Sequence, residues 1–159
     1  MPIRPIEPRD RERLFEIVTA VGNFTPEEVA IAMEVIDEGL AGAGRGDYFL
    51  NVLEEDGRVI GYECHGPTPL TDGTYDLYWI AVDPSAQGAG HGRALLGHAE
   101  EDVRARRGRL LLIETSAQES YAATKRFYEH SGYPLVARIP DFYRQGDDKL
   151  VYAKVLGGA

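Results

Sequence analysis

One loop constrains this chain more than any other segment. Val82-Asp83-Pro84-Ser85-Ala86-Gln87-Gly88-Ala89-Gly90-His91-Gly92-Arg93 joins a run of strand formers, Tyr75 to Val82, to a helical pattern. That helix spans about Gly92 to Arg107 and packs Leu95, Leu96, Ala99 and Val103 on one face. Gly88, Gly90 and Gly92 remove the Cβ atoms that would block close approach to the backbone. The helix aims its free N–H groups and the positive end of its dipole at the same point. An anion of pyrophosphate size suits such a place. A tight structural turn is the plain alternative. A dinucleotide loop needs Gly-x-Gly-x-x-Gly at the first βα turn of a parallel unit, with an acidic residue about 20 positions later. Here the glycines fall as Gly88-x-Gly90-x-Gly92, in mid-chain after a hairpin. A P-loop requires Gly-Lys-Ser/Thr, which the segment lacks.

The flanking pattern predicts the rest of the fold. Residues 2–6 read as a short strand, and Asp10 to Val21 as a helix with Leu14, Ile17, Val18 and Val21 on one face. Thr25, Pro26 and Glu28 form a capping-box start for a second helix. Its apolar positions are Val29, Ala32, Met33, Ile36 and Leu40, and Gly42, Gly44 and Gly46 end it. Tyr48 to Leu53 and Arg58 to His65 form a hairpin about Asp56-Gly57, stopped by Pro67 and Pro69. After the loop and its helix come a buried strand, Leu110 to Thr115, and a helix, Ser120 to Ser131, capped by Gly132. Tyr133 to Ile139 and Lys149 to Leu156 close the chain as strands, with Asp141 to Asp148 connecting them. The order β-α-α-β-β-β-α-β-α-β-β predicts a mixed α/β (α+β) fold: a mostly antiparallel central sheet with helices on both faces.

At 159 residues, with no repeat or linker, the chain is expected to form a single domain over 1–159. A net charge of −9 repels a polyanion, so nucleic acid is excluded as a partner and a cationic or amine-bearing one is easier to accommodate. Solubility alone also accounts for excess acid. No segment reaches the roughly 18 apolar residues of a membrane span, and a cytoplasmic location is expected. The single cysteine, Cys64, allows no internal disulfide and reads as a small buried residue. His65, His91, His98 and His130 lack metal-motif spacing, so no metal is expected.

Residues 76–104 resemble the central motif of the GNAT superfamily of N-acetyltransferases. That motif is a strand ending Ile/Leu-Ala-Val-x-Pro, then Arg/Gln-x-x-Gly-x-Gly/Ala at a helix start. Here it reads Ile80-Ala81-Val82-Asp83-Pro84, then Gln87-Gly88-Ala89-Gly90-His91-Gly92, then Arg93-Ala94-Leu95-Leu96. A second family motif matches in its latter half, Lys125-Arg126-Phe127-Tyr128-Glu129-His130-Ser131-Gly132-Tyr133. Tyr121 and Thr124 stand where the family commonly has Asn and Ala, so the pantetheine contact of that Asn is not carried over.

The resemblance implies the GNAT acyl-CoA N-acyltransferase fold and direct acyl transfer from acetyl-CoA to an amine, either a small molecule or a protein N-terminus. It implies that Ile80, Ala81, Val82, Gln87, Gly88, Ala89, Gly90, His91, Gly92 and Arg93 bind the cosubstrate. By motif position, Tyr128 resembles the general acid that protonates the leaving sulfur. A backbone N–H near Ile80 to Val82 would face the thioester oxygen, at a bulge that opens room for pantetheine. For the base, Asp76 stands five residues before Ala81, where the histone acetyltransferase branch carries a glutamate; Glu63 and Glu114 are rivals. Strand alternation would set Tyr78 beside Asp76. Tyr75, Tyr78, Trp79, Phe142 and Tyr143 are expected near the acceptor end, with Asp141, Asp147 and Asp148 as an acidic rim. A non-catalytic CoA-binding module and an interaction protein that kept only the fold are the competing classes. Strand edges near the carboxyl terminus could support a homodimer.

Overall fold

Thr25 caps its helix as the sequence directs. Its Oγ1 accepts from the Glu28 N–H at 3.2 Å, and the Glu28 carboxylate accepts from the Thr25 N–H at 3.2 Å. The structure is a computed structural model that describes residues 2–22, 24–42 and 46–157. Gly44, expected in the connection after the second helix, lies outside the described residues. The elements are β1 (Ile3–Pro5), α1 (Arg11–Val21), α2 (Pro26–Gly42), β2 (Phe49–Glu55), β3 (Arg58–Pro67), β4 (Thr74–Val82), α3 (His91–Ala105), β5 (Leu110–Ser116), α4 (Ala122–His130), β6 (Leu135–Arg144) and β7 (Asp147–Val155). Short 3₁₀ turns precede α1, α3 and α4 at Pro8–Asp10, Pro84–Ala86 and Glu119–Tyr121.

The strands form one sheet in the order β1-β2-β3-β4-β5-β7-β6. Every pairing is antiparallel except β4 with β5. On one face, Leu14, Ile17 and Val18 of α1 and Ala32, Met33 and Ile36 of α2 pack on Leu50, Val52, Tyr62, Cys64 and Ala81. On the other, Leu96, Ala99 and Val103 of α3 and Tyr128 of α4 pack on Leu77, Leu111, Ile113, Leu150 and Tyr152. Each Val, Leu, Ile or Met among them, fully buried, contributes about 1.5–3 kcal/mol. Cys64 sits wholly inside the first cluster, as its strand setting predicts. No helix among the described residues is long and apolar enough to cross a membrane.

Two irregularities open the sheet. β4 and β5 pair only from Thr74↔Leu110 to Leu77↔Ile113; β4 then runs on to Val82 and β5 to Ser116 without each other. At the same place the β3–β4 register slips between Cys64↔Trp79 and His65↔Leu77, leaving Tyr78 as an extra residue. The expected bulge therefore exists, but at Tyr78 rather than within Ile80 to Val82. It also breaks the alternation expected for residues 76, 78 and 80: Leu77 and Ile80 both pack on the α3 side, while Trp79 turns to α1 and α2.

The carboxyl-terminal connection is a correction. Asp141 to Asp148 is not a loop. β6 continues through Pro140 to Arg144, and a turn at Gln145-Gly146 leads into β7. Pro140 is tolerated because β6 is the edge strand, where a missing N–H costs no ladder bond. Asp141 takes φ +56 within the irregular register between Ile139 and Arg144. Tyr133, expected to start the strand, lies before it, buried, and donates its hydroxyl to Glu100 at 2.6 Å.

Gly66 on β3 shows how close the packing is. A Cβ there would stand 1.9 Å from the Asp47 carbonyl oxygen. Backbone cannot yield as a side-chain tip would, so Gly66→Ala is expected to cost about 1–3 kcal/mol. Urea unfolding measures this; an unchanged midpoint would show that the segment at Asp47 moves aside freely.

Candidate active site

The glycine loop is pinned at its start. The Asp83 carboxylate accepts from the Ser85 N–H at 2.9 Å and the Ser85 hydroxyl at 2.8 Å, and it pairs with Arg13. The Arg13 guanidinium first, and the Ser85 donors next, hold the Asp83 carboxyl down at about 2. Gln87 folds back, its side-chain amide donating to the Val82 carbonyl at 3.2 Å. Beyond it Gly88 and Gly90 take φ +87 and +83, values that favour glycine, and a Cβ at either would meet nothing within 4 Å. Gln87, Gly88, Ala89 and Gly90 are exposed. Gly90 stands at the N-cap of α3, one residue ahead of the expected start, and the first bond of the helix is Ala94 N–H to Gly90 carbonyl at 3.1 Å. The N–H groups of His91, Gly92 and Arg93 precede that bond and point out of the helix end. His91 is buried with Nδ1 unpartnered, and Phe127 closes on Gly92. This open, positive-φ cradle, with an orphaned buried imidazole nitrogen behind it, fits a pyrophosphate.

Where β4 and β5 part lies a cavity of about 810 Å³. β4 lines it with Asp76, Leu77, Tyr78, Trp79 and Ile80, and β5 with Glu114, Thr115 and Ser116. α4 contributes Thr124 and Tyr128. Tyr128 is 5% exposed and packed among Phe127, Tyr133 and Tyr152, with ring centroids at 5.4, 6.4 and 6.2 Å. Burial alone pushes its phenol well above the ordinary range, so it is a protonated donor at neutral pH. Asp76 accepts from the Thr68 hydroxyl at 2.6 Å. Burial raises its carboxyl above the ordinary value and the Glu114 charge adds to this, against the lowering hydrogen bond from Thr68. Of the other cosubstrate candidates, Ile80 lines the cavity, Ala81 is buried under α1 and α2, and Val82 packs on Leu53, Ile60 and Leu95.

The rival bases separate. Glu114 lines the same cavity but is paired with Lys149 at 3.0 Å. Glu63 is fully buried away from it, accepting from Asn51 Nδ2 at 2.6 Å and held by His65 Nδ1 at 2.8 Å. Of the three acids expected at a rim, Asp147 lines the cavity and Asp141 and Asp148 do not. Asp147 is 2% exposed, bonded to the Ser116 hydroxyl and to Arg144. Asp148 pairs with Arg138 and accepts the Asp141 N–H, inside the β6–β7 hairpin. Of the aromatic group, Tyr78, Trp79 and Tyr143 line the cavity. Tyr75 packs in the α3-side core, and Phe142 lies outside under Lys149.

Sequence reasoning missed the α2 start, Glu27 and Glu28, and Phe24 before it, all on the cavity wall. The capping box located Glu28 on its helix, but nothing local says what that helix end faces. It also missed a polar chain, buried at Asn51, Glu63 and His65 and reaching the surface through Asp102 of α3, 2.7 Å from His65 Nε2, and the exposed Arg106, stacked 3.8 Å over the Phe49 ring. Among the described residues no group of three or more His, Cys, Asp or Glu is placed to hold a metal.

Comparison with known proteins agrees with this geometry. The acetyltransferase (GNAT) domain profile matches residues 45–134. A solved GNAT-family protein from Desulfovibrio desulfuricans superposes with TM-score 0.94 at 45% identity, over 98% of this chain and 99% of its own. The yncA protein of Salmonella typhimurium, solved with its cofactor acetyl-CoA, shares the fold at TM-score 0.75 and 22% identity, over 100% of this chain and 95% of its own. The mycothiol acetyltransferase of Amycolatopsis mediterranei is 35% identical over 95 residues, 55% of this chain but only 31% of that longer protein. An open glycine loop at a helix start, a parted strand pair, a domain profile over more than half of the chain and a full-length likeness at this identity lead to one statement: the chain belongs to the GNAT family of N-acetyltransferases.

Proposed function

We propose that the chain transfers the acetyl group of acetyl-CoA directly to a primary amine, on a small molecule or a protein N-terminus. The observation that carries this is the cavity at the β4–β5 opening, with a protonated phenol and an unpaired carboxylate on its walls, together with the glycine cradle. Residues 1–159 act as one domain on this reading, since a single sheet carries both the cradle and the cavity.

The cosubstrate supplies an activated thioester, and the protein must place it and move protons. The N–H groups from Gly88 to Arg93 receive the pyrophosphate. Beyond Leu77 the side of β4 that faced β5 is released from pairing, and its N–H groups are donors for the thioester oxygen. Asp76 takes the proton from the acceptor ammonium. The freed nitrogen lone pair bonds to the acetyl carbon as the C–S bond breaks, Tyr128 gives a proton to the departing sulfur, and the nitrogen releases its second proton to solvent as the amide forms. Both residues return to their starting states by exchange with solvent.

Acetyl-CoA binding by calorimetry tests the cradle. Gly90→Trp places an indole in the open space above the loop and strains φ +83. Affinity is expected to fall at least about a hundredfold, some 2.7 kcal/mol, while circular dichroism reports an intact fold. Equal affinity in the two proteins would move the cosubstrate elsewhere, and no binding by the wild type would end the acyltransferase reading.

A further inference from the structure

The proposed function leaves the acceptor open, and the cavity walls narrow it. Five carboxylates line the cavity, Glu27, Glu28, Asp76, Glu114 and Asp147, against one cation among the described residues, Arg144. Two of the five are already neutralised, Glu114 by Lys149 at 3.0 Å and Asp147 by Arg144 at 2.7 Å. Three have no ion-pair partner among the described residues. These three fall into two places: Asp76 on β4, at the strand opening, and Glu27 with Glu28 at the start of α2.

The same cavity is rich in aromatic rings. Phe24 stands edge-on to Trp79 at 5.0 Å, and Tyr78, Tyr121 and Tyr143 complete the lining. Such faces attract cations and cover an alkyl spacer equally well. The negative field crosses the cavity. Burial raises the phenols of Tyr121 and Tyr143, and Glu28 and Asp147 raise both further. An acidic or phosphorylated acceptor would be repelled at both unpaired places. At about 810 Å³ the cavity is also of a size that takes ligands well beyond one amino group.

We propose that the acceptor is a dication, a small di- or polyamine whose reacting amine is held at Asp76 while a second ammonium is held by Glu27 and Glu28. This rests on the acetyl-transfer reading and adds a demand that reading does not make. One charge alone would leave one of the two anionic places empty. Two charges joined by a short alkyl chain fill both and lay the chain along Phe24, Trp79 and Tyr78.

The test is a rate series with acetyl-CoA, reading release of the CoA thiol. Diaminopropane, putrescine, cadaverine and spermidine are compared with n-alkylamines of matching length and with a peptide whose N-terminus is its only amine. At least one polyamine is expected to exceed its matched monoamine about tenfold or more in kcat/KM, through KM, with the preference shrinking as salt rises. In Glu27→Gln, and in the Glu27→Gln/Glu28→Gln pair checked for folding because Glu28 also caps α2, that preference ratio is expected to fall about tenfold. Transfer to monoamines or to the peptide as fast as to every polyamine overturns the two-charge acceptor and leaves acetyl transfer standing. Undiminished preference in the folded double variant overturns the assignment of Glu27 and Glu28. Absence of transfer to any amine overturns both readings together.

Discussion

Tyr128→Phe is expected to lower kcat by about two to three orders of magnitude while acetyl-CoA affinity and thermal stability stay near those of the wild type. Proton donation by a placed side chain contributes about 10²–10⁴ in rate, and the variant deletes only the hydroxyl. The ring keeps its contacts with Phe127, Tyr133 and Tyr152, so nothing is left to collapse. The pH profile carries a second readout. The proposed acid must hold its proton, and burial favours the neutral phenol, so the wild type keeps its donor beyond the ordinary phenol range. The proposed base must be ionised, and burial raises the Asp76 carboxyl, so activity on the acid side should fall away above the usual carboxylate range. Steady-state kinetics with a saturating amine measure both. A phenylalanine variant that keeps a third or more of wild-type kcat would show that the leaving sulfur takes its proton from water or from another group.

Why Tyr128 was legible in the sequence and the other cavity walls were not is a matter of range. The glycine loop, the Thr25 capping box and the Gly132 cap are local: each follows from backbone demands within about six residues, and each is found where expected. Tyr128 was placed by a contiguous motif on one helix. The bulge at Tyr78 depends on how β3 and β4 settle against two different helix layers, and no residue of β4 announces it. Pro140 and the acidic Asp141, Asp147 and Asp148 looked like a connection because breakers and charges are read as loop; the edge strand β6 accepts Pro140 and Asp141, since one side of its ladder is free, and Asp147 and Asp148 open β7 paired with Arg144 and Arg138 of β6. Glu63 looked like a candidate base because it lies on the strand preceding that of Asp76. What removes it is Asp102, 37 residues beyond His65, which draws the histidine into a buried ion-pair chain.

That chain sets the second large effect. His65→Ala is expected to cost about 3–5 kcal/mol, because the wholly buried Glu63 carboxylate is then left with Asn51 alone. Against a typical total of about 5–15 kcal/mol, the variant would be marginally folded. Burial by itself would lower the His65 pKa, but its hydrogen bonds to Asp102 and Glu63 outweigh this and raise it to about 9. A raised pKa means the folded state binds the proton more tightly than the unfolded chain. This contribution is therefore complete below the ordinary imidazole value of about 6.5, and is lost as pH climbs through about 9. Asp102 runs the other way. His65 chiefly holds its carboxyl down at about 2, so its contribution is present above about 4 and is lost as pH falls toward about 2. Wild-type stability from urea unfolding should thus decline from about pH 7 to 9, and in His65→Ala the slope should flatten. Arg106→Ala serves as the control. It removes a partly exposed pair with Asp102 and the stack on Phe49, and exposed pairs contribute only about 0–1 kcal/mol. A loss at His65 no greater than at Arg106, with the alkaline slope unchanged, would mean that the chain of charges is not what ties α3 to β3.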